Sequence, residues 1–310
     1  MGTVNQKNRI LAIVGHTASG KSSLAISVAQ HLDGEIVSCD STAVYRGFDI
    51  GTDKVPPSER GGVPHHLIDV VEPTELYSAA RYSREAASAI RRITMAGKLP
   101  IVVGGSGLYY RALTRGLFAG PGRDDVMRHR LTRISLRRGT EYLHRMVSRV
   151  DPDTAGRVHP RDEKRLIRAL EVYFLTSLPL SKHFLQTRSP LEEYKIVVCG
   201  LSLASNLTSS RIAKRVDRQF SSGLFQEVRG LLDRGVPVTA HPFSGLVYRQ
   251  VLEHFEGIRP EEATRALIVK ENQKYARRQL IWFRKEPNLE WINRPGEDPE
   301  TLKEILCLMN

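Results

Sequence analysis

Cysteine is scarce: Cys39, Cys199 and Cys307 are the three in 310 residues. They are odd in number and far apart, so neither a disulfide framework nor a Cys-x-x-Cys metal site is encoded, and a reducing cytoplasm is the expected compartment. No apolar run approaches the length that spans a bilayer. The first nine residues are polar with no apolar run of signal-peptide length behind them, so the expectation is an unsecreted chain without a membrane partner. Internal repeats and low-complexity tracts are also missing, which removes solenoids and disordered arrays from consideration. Acidic residues run short: 34 Asp and Glu face 46 Lys and Arg, for a net charge of +12. That excess fits a polyanionic partner without requiring one. With 41% hydrophobic residues, the chain can bury a substantial core.

What is present is sharper. Gly15-His16-Thr17-Ala18-Ser19-Gly20-Lys21-Ser22 fits G-x-x-x-x-G-K-[ST] and follows the apolar run Ile10-Leu11-Ala12-Ile13-Val14. In such a phosphate loop successive backbone N–H groups turn toward anionic oxygens, the lysine adds a point charge, and the Ser22 hydroxyl is offered to Mg²⁺. From Ser22 to His31 the residues Leu24, Ala25, Val28 and Ala29 share one helical face, so the phosphate would sit at a helix N-terminus.

Glu35–Cys39 and Leu99–Val103 read as further buried strands, and the stretch from Ser78 to Met95, stopped by Gly97, reads as a crossover helix. Strands alternating with helices predict an α/β fold, a parallel P-loop NTPase-like sheet flanked by helices. Ligands of such sheets collect at the carboxyl ends of the strands, where the phosphate loop, Asp40 and Gly104–Ser106 all fall. From Gly116 to Ser189 the texture changes to helical spacing with many arginines, which reads as a helical insertion. The expected division is a catalytic core over residues 1–115 and 190–310 and an insertion domain over 116–189, with a second basic helical stretch from Arg157 to Leu175. The sheet resumes at Tyr194–Gly200. Helices follow over Ser205–Ser222, Leu224–Leu232 and Pro260–Lys285, then a strand at Leu289–Ile292 and a tail helix.

Asp40 closes the second strand, and three jobs fit it from local sequence: a turn cap, a water-bridged Mg²⁺ ligand, or a base facing a nucleophile. His65-His66 is a poor metal pair, because adjacent residues of an extended segment point to opposite faces. Tyr109-Tyr110 and Trp282-Phe283 read as core aromatics.

In order and spacing, the phosphate loop, Asp40-Ser41-Thr42-Ala43-Val44-Tyr45, Asp49–Lys54, His65–Asp69, Val103–Tyr109, Asp162–Glu171, Tyr248-Arg249-Gln250 and Arg277-Arg278-Gln279 resemble the tRNA dimethylallyltransferase (tRNA isopentenyltransferase) family over nearly the whole chain. The resemblance implies transfer of a dimethylallyl group from dimethylallyl diphosphate to N6 of adenosine 37 in tRNAs that read codons beginning with U, with Mg²⁺ as cofactor and a monomeric enzyme. It makes Asp40, Thr17 and Arg215 the catalytic candidates. Gly15, His16, Thr17, Ala18, Ser19, Gly20, Lys21 and Ser22 would bind the diphosphate, with Ser22 on the metal. It places Asp40, Ser41, Thr42, Ala43, Ser106, Arg128, Lys164, Arg165, Leu166, Ile167, Arg168, Ser244, Gly245, Tyr248, Arg249 and Gln250 against tRNA, chiefly its anticodon stem-loop.

Elementary chemistry agrees with those roles. Breaking an allylic C–O bond builds charge on the departing diphosphate, so donors and cations aimed there lower the barrier. An adenine amine is a weak nucleophile, and a carboxylate that takes its proton as the N–C bond forms corrects this. Four positions depart from the family pattern: His16 replaces Pro, Ala43 replaces Gln, Ser106 replaces Thr, and Val247 replaces Gly. Ser106 keeps its hydroxyl, Ala43 loses an amide's hydrogen bonds, and Val247 cannot take a positive φ freely. A small-molecule kinase or ATPase would use the same loop, and a prenyltransferase acting on free adenine nucleotides would need no stem-loop clamp.

Overall fold

A computed structural model describes residues 8–118, 120–185 and 187–309. The polar stretch at the start of the chain lies, through residue 7, outside them. Two compact units form: one from the chain up to Thr114 together with the chain from Leu191 onward, the other over Arg115–Pro190.

The larger unit is built on a parallel sheet. Its strands are β1 (Arg9–Gly15), β2 (Gly34–Ser38), β3 (His65–His66), β4 (Leu99–Gly104), β5 (Lys195–Leu201) and β6 (Leu289–Ile292), in the order β3-β2-β4-β1-β5-β6. The register runs Leu11 with Ile101 on one side of β1 and Leu11 with Val197 on the other. The uninterrupted apolar run in β1 follows from burial on both faces. Ile10, Ala12 and Val14 enter one core with the helices α2 (Ala79–Met95) and α3 (Gly107–Arg115), while Leu11 and Ile13 enter the other with α1 (Lys21–His31) and a tail helix over Pro299–Met309. Leu24, Ala25, Val28 and Ala29 are the buried face of α1, as their spacing predicts. Ser78 caps α2 by accepting the Arg81 amide, a contact worth about 1 kcal/mol.

At the carboxyl edge the chain after β2 crosses close to β4. Cys39 donates its amide to Val103 O at 2.7 Å, and Ser106 donates its own to Cys39 O at 3.2 Å. A Cβ on Gly104 would lie 2.1 Å from Cys39 O, so only glycine permits this approach. The crossing brings Ser106 beside Ser41 and Asp40.

The smaller unit holds α4 (Asp125–Arg138), α5 (Thr140–Val150), α6 (Pro152–Ala155), α7 (Glu163–Thr176) and α8 (Leu180–Leu185) around Leu131, Leu143, Val147, Leu166 and Leu170. The basic helical stretch expected from Arg157 starts later. Asp162 caps α7 by accepting the Arg165 amide, and Pro160 disfavours helix at His159 just before it. In the larger unit α9 (Ser205–Ser221), α10 (Leu224–Asp233) and α12 (Glu261–Phe283) match the helical spacing, as does the tail helix α13. The short β3 and α11 (Tyr248–Phe255) were not expected. Two residues, and eight after a turn, are too brief to show a period.

Candidate functional site

The phosphate loop joins β1 to α1, and Gly20 turns the chain into the helix at φ 90°. His16 is fully buried and does not present its ring to a ligand. Its Nδ1 lies 2.7 Å from Thr17 O, and its Nε2 accepts from the Leu203 amide at 3.3 Å. A neutral ring protonated on Nδ1 satisfies both contacts, and burial lowers its pKa to about 4. His16 therefore serves the loop through its backbone and by anchoring it to the chain after β5.

Lys21 folds back across the loop, donating to His16 O at 2.5 Å. Burial of the ammonium pushes its pKa down to about 7. The Arg215 charge adds to that and the Asp40 charge opposes it. An ammonium so destabilised favours an incoming anion. The Ser22 hydroxyl is exposed at the helix start and makes no hydrogen bond among the described residues.

Thr17 is held from two directions. Its amide donates to Gln279 Oε1 at 2.8 Å, and its hydroxyl accepts from Arg215 Nη1 at 2.6 Å. Gln279 reaches the loop from α12 and also donates to Gly105 O at 2.9 Å, tying the phosphate loop to the end of β4. Gln279 had no expected role. The available signal was its place on the buried stripe of α12 with Thr264, Ile268, Asn272, Ala276 and Phe283, where polar residues at core spacing need a purpose.

Asp40 fills the first of its anticipated roles with one carboxylate oxygen only. Oδ1 caps the following turn, accepting from the Thr42 amide at 2.8 Å, the Thr42 hydroxyl at 2.7 Å and the Ala43 amide at 3.3 Å. Oδ2 has no hydrogen-bond donor among the described residues. One oxygen fixes the carboxylate and the other is left to act. The Asp40 charge reaches Lys21 on the phosphate side. It also reaches Tyr275, whose hydroxyl is pushed up to about 12, by burial first and by Asp40 second. Ser106 Oγ accepts the Ser41 amide at 3.1 Å, so the hydroxyl retained at this position steadies the Asp40 turn.

Several expected tRNA contacts are placed elsewhere. Leu166 and Ile167 belong to the core of the smaller unit and cannot face a ligand. Arg128 and Arg168 both bond to the fully buried Glu171, Arg128 through Nε and Nη2 at 2.7 and 3.0 Å and Arg168 through Nη1 at 2.6 Å. Burial raises the Glu171 pKa, but these bonds outweigh it and hold the carboxyl at about 2. Both arginines are thus engaged in the unit's own fold, while Lys164 and Arg165 stand exposed.

Tyr248 and Gln250 are also buried. Tyr248 donates its hydroxyl to Glu227 at 2.6 Å, and Gln250 Oε1 accepts the Val247 amide at 2.7 Å. Ser244 and Arg249 remain exposed and Gly245 half-buried, whereas Ala43 is buried. Val247 takes the positive φ that its side chain disfavours, with φ 75° and ψ −65°. The Tyr248 amide donates to Leu246 O at 3.0 Å, which makes a γ-turn centred on the valine.

The remaining motifs have structural partners. His65 contacts Val63 O, and His66 contacts Glu35 at 2.7 Å. Tyr109 stacks on Tyr82 with centroids 4.5 Å apart, Phe283 is fully buried, and Trp282 is half-buried beneath the Arg111 guanidinium.

Comparison with known proteins gives the family. The IPP transferase family model matches residues 43–286. The chain is similar to tRNA dimethylallyltransferase of Geobacter metallireducens, with 42% identity over 301 residues and 97% of each chain covered. It is similar to tRNA dimethylallyltransferase 1 of Trichlorobacter lovleyi, with 43% identity over 93% of this chain and 95% of that one. Among solved structures, the full-length tRNA isopentenylpyrophosphate transferase of Bacillus halodurans is similar at a TM-score of 0.73 and 35% identity, covering 97% of this chain and 95% of that one. A eukaryotic dimethylallyltransferase acting on tRNA is similar at a TM-score of 0.79 and 25% identity, covering 97% and 78%.

Proposed function

Because this chain belongs to the IPP transferase family, a family of prenyltransferases, we propose that it transfers a dimethylallyl group from dimethylallyl diphosphate to N6 of adenosine 37 in tRNAs reading codons that begin with U. The observation that carries this reading is the placement of Asp40, with one uncommitted carboxylate oxygen, at the sheet edge that also holds Thr17, Lys21 and Arg215. A base and an anion cradle on one edge are what the reaction requires.

In the reaction the allylic C–O bond breaks, the N6–C bond forms, diphosphate leaves, and the N6 proton passes to Asp40 Oδ2. Lys21, the loop amides and Arg215 take up the charge that grows on the leaving group. Thr17 Oγ1, already accepting from Arg215, keeps its own O–H to donate to the bridging oxygen. Ser22 would hold Mg²⁺, and its uncommitted hydroxyl at the helix start fits that role. The ion would supply neutralising charge to the diphosphate.

A stacked adenine cannot reach Asp40, so the base must be everted from the anticodon loop. Lys164 and Arg165, and separately Ser244 and Arg249 with half-buried Gly245 between them, are the candidates for phosphate contacts. A cytoplasmic monomer is the form we propose. No helix among the described residues is long and apolar enough to cross a membrane.

The test is incubation of the purified protein with labelled dimethylallyl diphosphate and, in parallel, unmodified tRNA, an anticodon stem-loop and AMP. Prenylated adenosine in the first two arms supports the reading. Equal turnover on AMP would argue for a free-nucleotide prenyltransferase, and, in a further arm supplied with ATP, its hydrolysis without prenylation would argue for a kinase-like enzyme.

A further inference from the structure

Asp53 lies near the phosphate loop in space, within a turn that other side chains hold tightly. Lys54 N donates to Asp49 O and Asp53 N to Ile50 O, both at 3.1 Å, and Asp53 occupies the left-handed region at φ 58°, which aspartate tolerates better than most residues. The Glu227 carboxylate accepts the amides of Asp49, Ile50 and Gly51 at 2.9, 2.7 and 3.2 Å. Gln219 donates to Ile50 O and Gly51 O from the other side. Gly51 has no room for a Cβ, which would lie 2.5 Å from the Tyr248 ring. The turn is a pedestal with little freedom left.

On that pedestal the Asp53 carboxylate meets two cations. Oδ2 is 3.3 Å from Arg215 Nε, and Oδ1 is 2.9 Å from Arg218 Nη2. Thr52 O accepts from Arg215 Nη2 at 3.4 Å. With Nη1 on Thr17 and Nη2 on Thr52 O, two of the Arg215 N–H groups are hydrogen-bonded and Nε is ion-paired with Asp53, which leaves one N–H on each terminal nitrogen for an anion in the loop. The carboxylate therefore grips the guanidinium by its Nε edge without occupying the edge that would face a diphosphate.

We infer that Asp53 is a positioning residue for the transfer step: it fixes the Arg215 guanidinium plane against Thr17 before the diphosphate arrives. The inference rests on the function proposed above. An arginine freed from this grip must lose its rotamer freedom during the reaction, and misplacement of a catalytic cation by about 1 Å costs on the order of a hundredfold in rate. The Arg218 arm differs, because Arg218 is 66% exposed and its pairing is screened by water.

The test is a double-mutant cycle on Asp53→Ala and Arg215→Ala, read in the single-turnover rate at saturating tRNA and in calorimetric binding of inorganic diphosphate. Asp53→Ala is expected to slow transfer by about ten- to a hundredfold with KM for tRNA within about twofold, and to cause no further loss once Arg215 is removed. Arg218→Ala should stay within about twofold of the wild-type rate. Losses that add in the double variant, or a normal rate in Asp53→Ala, would overturn the inference. Should Asp53→Ala fail to fold, Asp53→Asn carries the same cycle. Diphosphate binding needs no prenyl acceptor, so a missing Asp53–Arg215 coupling there counts against the inference alone. Absence of prenyl transfer by the wild-type protein counts against the functional reading.

Discussion

Arg215 Nη1 donates to Thr17 Oγ1 at 2.6 Å, so a cation from α9 and the hydroxyl of the phosphate loop form one unit before any ligand is bound. Lysine at 215 could contact Thr17 or Asp53 but lacks the planar fork that meets both while facing an anion. Arg215→Lys is expected to lower kcat by about 10² to 10³ with tRNA affinity unchanged. Rapid-quench kinetics beside tRNA filter binding measures both, and a variant with normal kcat would remove Arg215 from the leaving-group side.

Lys21 makes diphosphate binding depend on pH. Its pKa in the empty site is about 7, lowered from 10.5, and a bound anion raises it again. Binding therefore takes up a proton once the pH exceeds about 7, and Kd should climb toward tenfold per pH unit above that point. For folding the sign follows the same depression: the unfolded chain binds more protons between about 7 and 10.5, so this group's contribution to stability rises with pH across that window. Calorimetry with inorganic diphosphate between about pH 6 and 9 reads the effect, and Lys21→Arg, which does not titrate there, subtracts the ligand's own ionisation. Identical pH profiles for the two proteins would refute it.

Asp40→Asn separates anchoring from chemistry. The amide oxygen can still accept from Thr42 and Ala43, so the turn survives, while the basic oxygen is lost. Turnover should fall by about 10² to 10⁴ with melting temperature and tRNA affinity nearly intact. If Asp40 is a base, the Mg²⁺ concentration for half-maximal residual activity stays put. A shift of that midpoint would instead make it a metal ligand.

Much of this site could be read directly from the sequence. A phosphate loop carries its own spacing, and β1 announces its burial on both faces by its uninterrupted apolar run. The carboxyl-edge rule for parallel sheets then places Asp40. Side-chain partnerships could not be read the same way. Arg128 and Arg168 look like phosphate ligands because, although Arg168 and Glu171 have helical pair spacing, neither the burial of Glu171 nor its pairing with Arg128 is visible locally. Gln279 and Asp53 are separated from Thr17 and Arg215 by 262 and 162 residues respectively, and such pairings have no sequence period. Leu166 and Ile167 share a contiguous motif with exposed Lys164 and Arg165, but a helix turns neighbouring residues to different faces and buries these two.

The two kinds of cation in the smaller unit should respond differently to removal. Replacing exposed Lys164 and Arg165 by alanine is expected to weaken tRNA binding and to flatten the slope of log K against log salt by up to about 2, because fewer counterions are released. Arg128→Ala should cost on the order of 3 kcal/mol of stability in that unit by leaving buried Glu171 short of a partner. Salt titrations and urea denaturation distinguish the two. A salt slope altered by Arg128→Ala in a fully folded protein would return that arginine to the tRNA surface.

Val247 offers a test of backbone strain in which the usual order of substitutions reverses. The valine is 3% exposed, so truncation to alanine or glycine loses burial in either case, and glycine loses slightly more. Elsewhere in a core glycine is the worse replacement, by about 0.5–1 kcal/mol. Here φ is 75° and ψ −65°, a conformation in which any Cβ is crowded and only glycine is at ease. Alanine keeps that strain and glycine releases it, so Val247→Gly should be more stable than Val247→Ala by about 1 kcal/mol. Urea denaturation of both variants decides the sign. An alanine variant more stable than the glycine one would mean that this turn is not held at positive φ in solution.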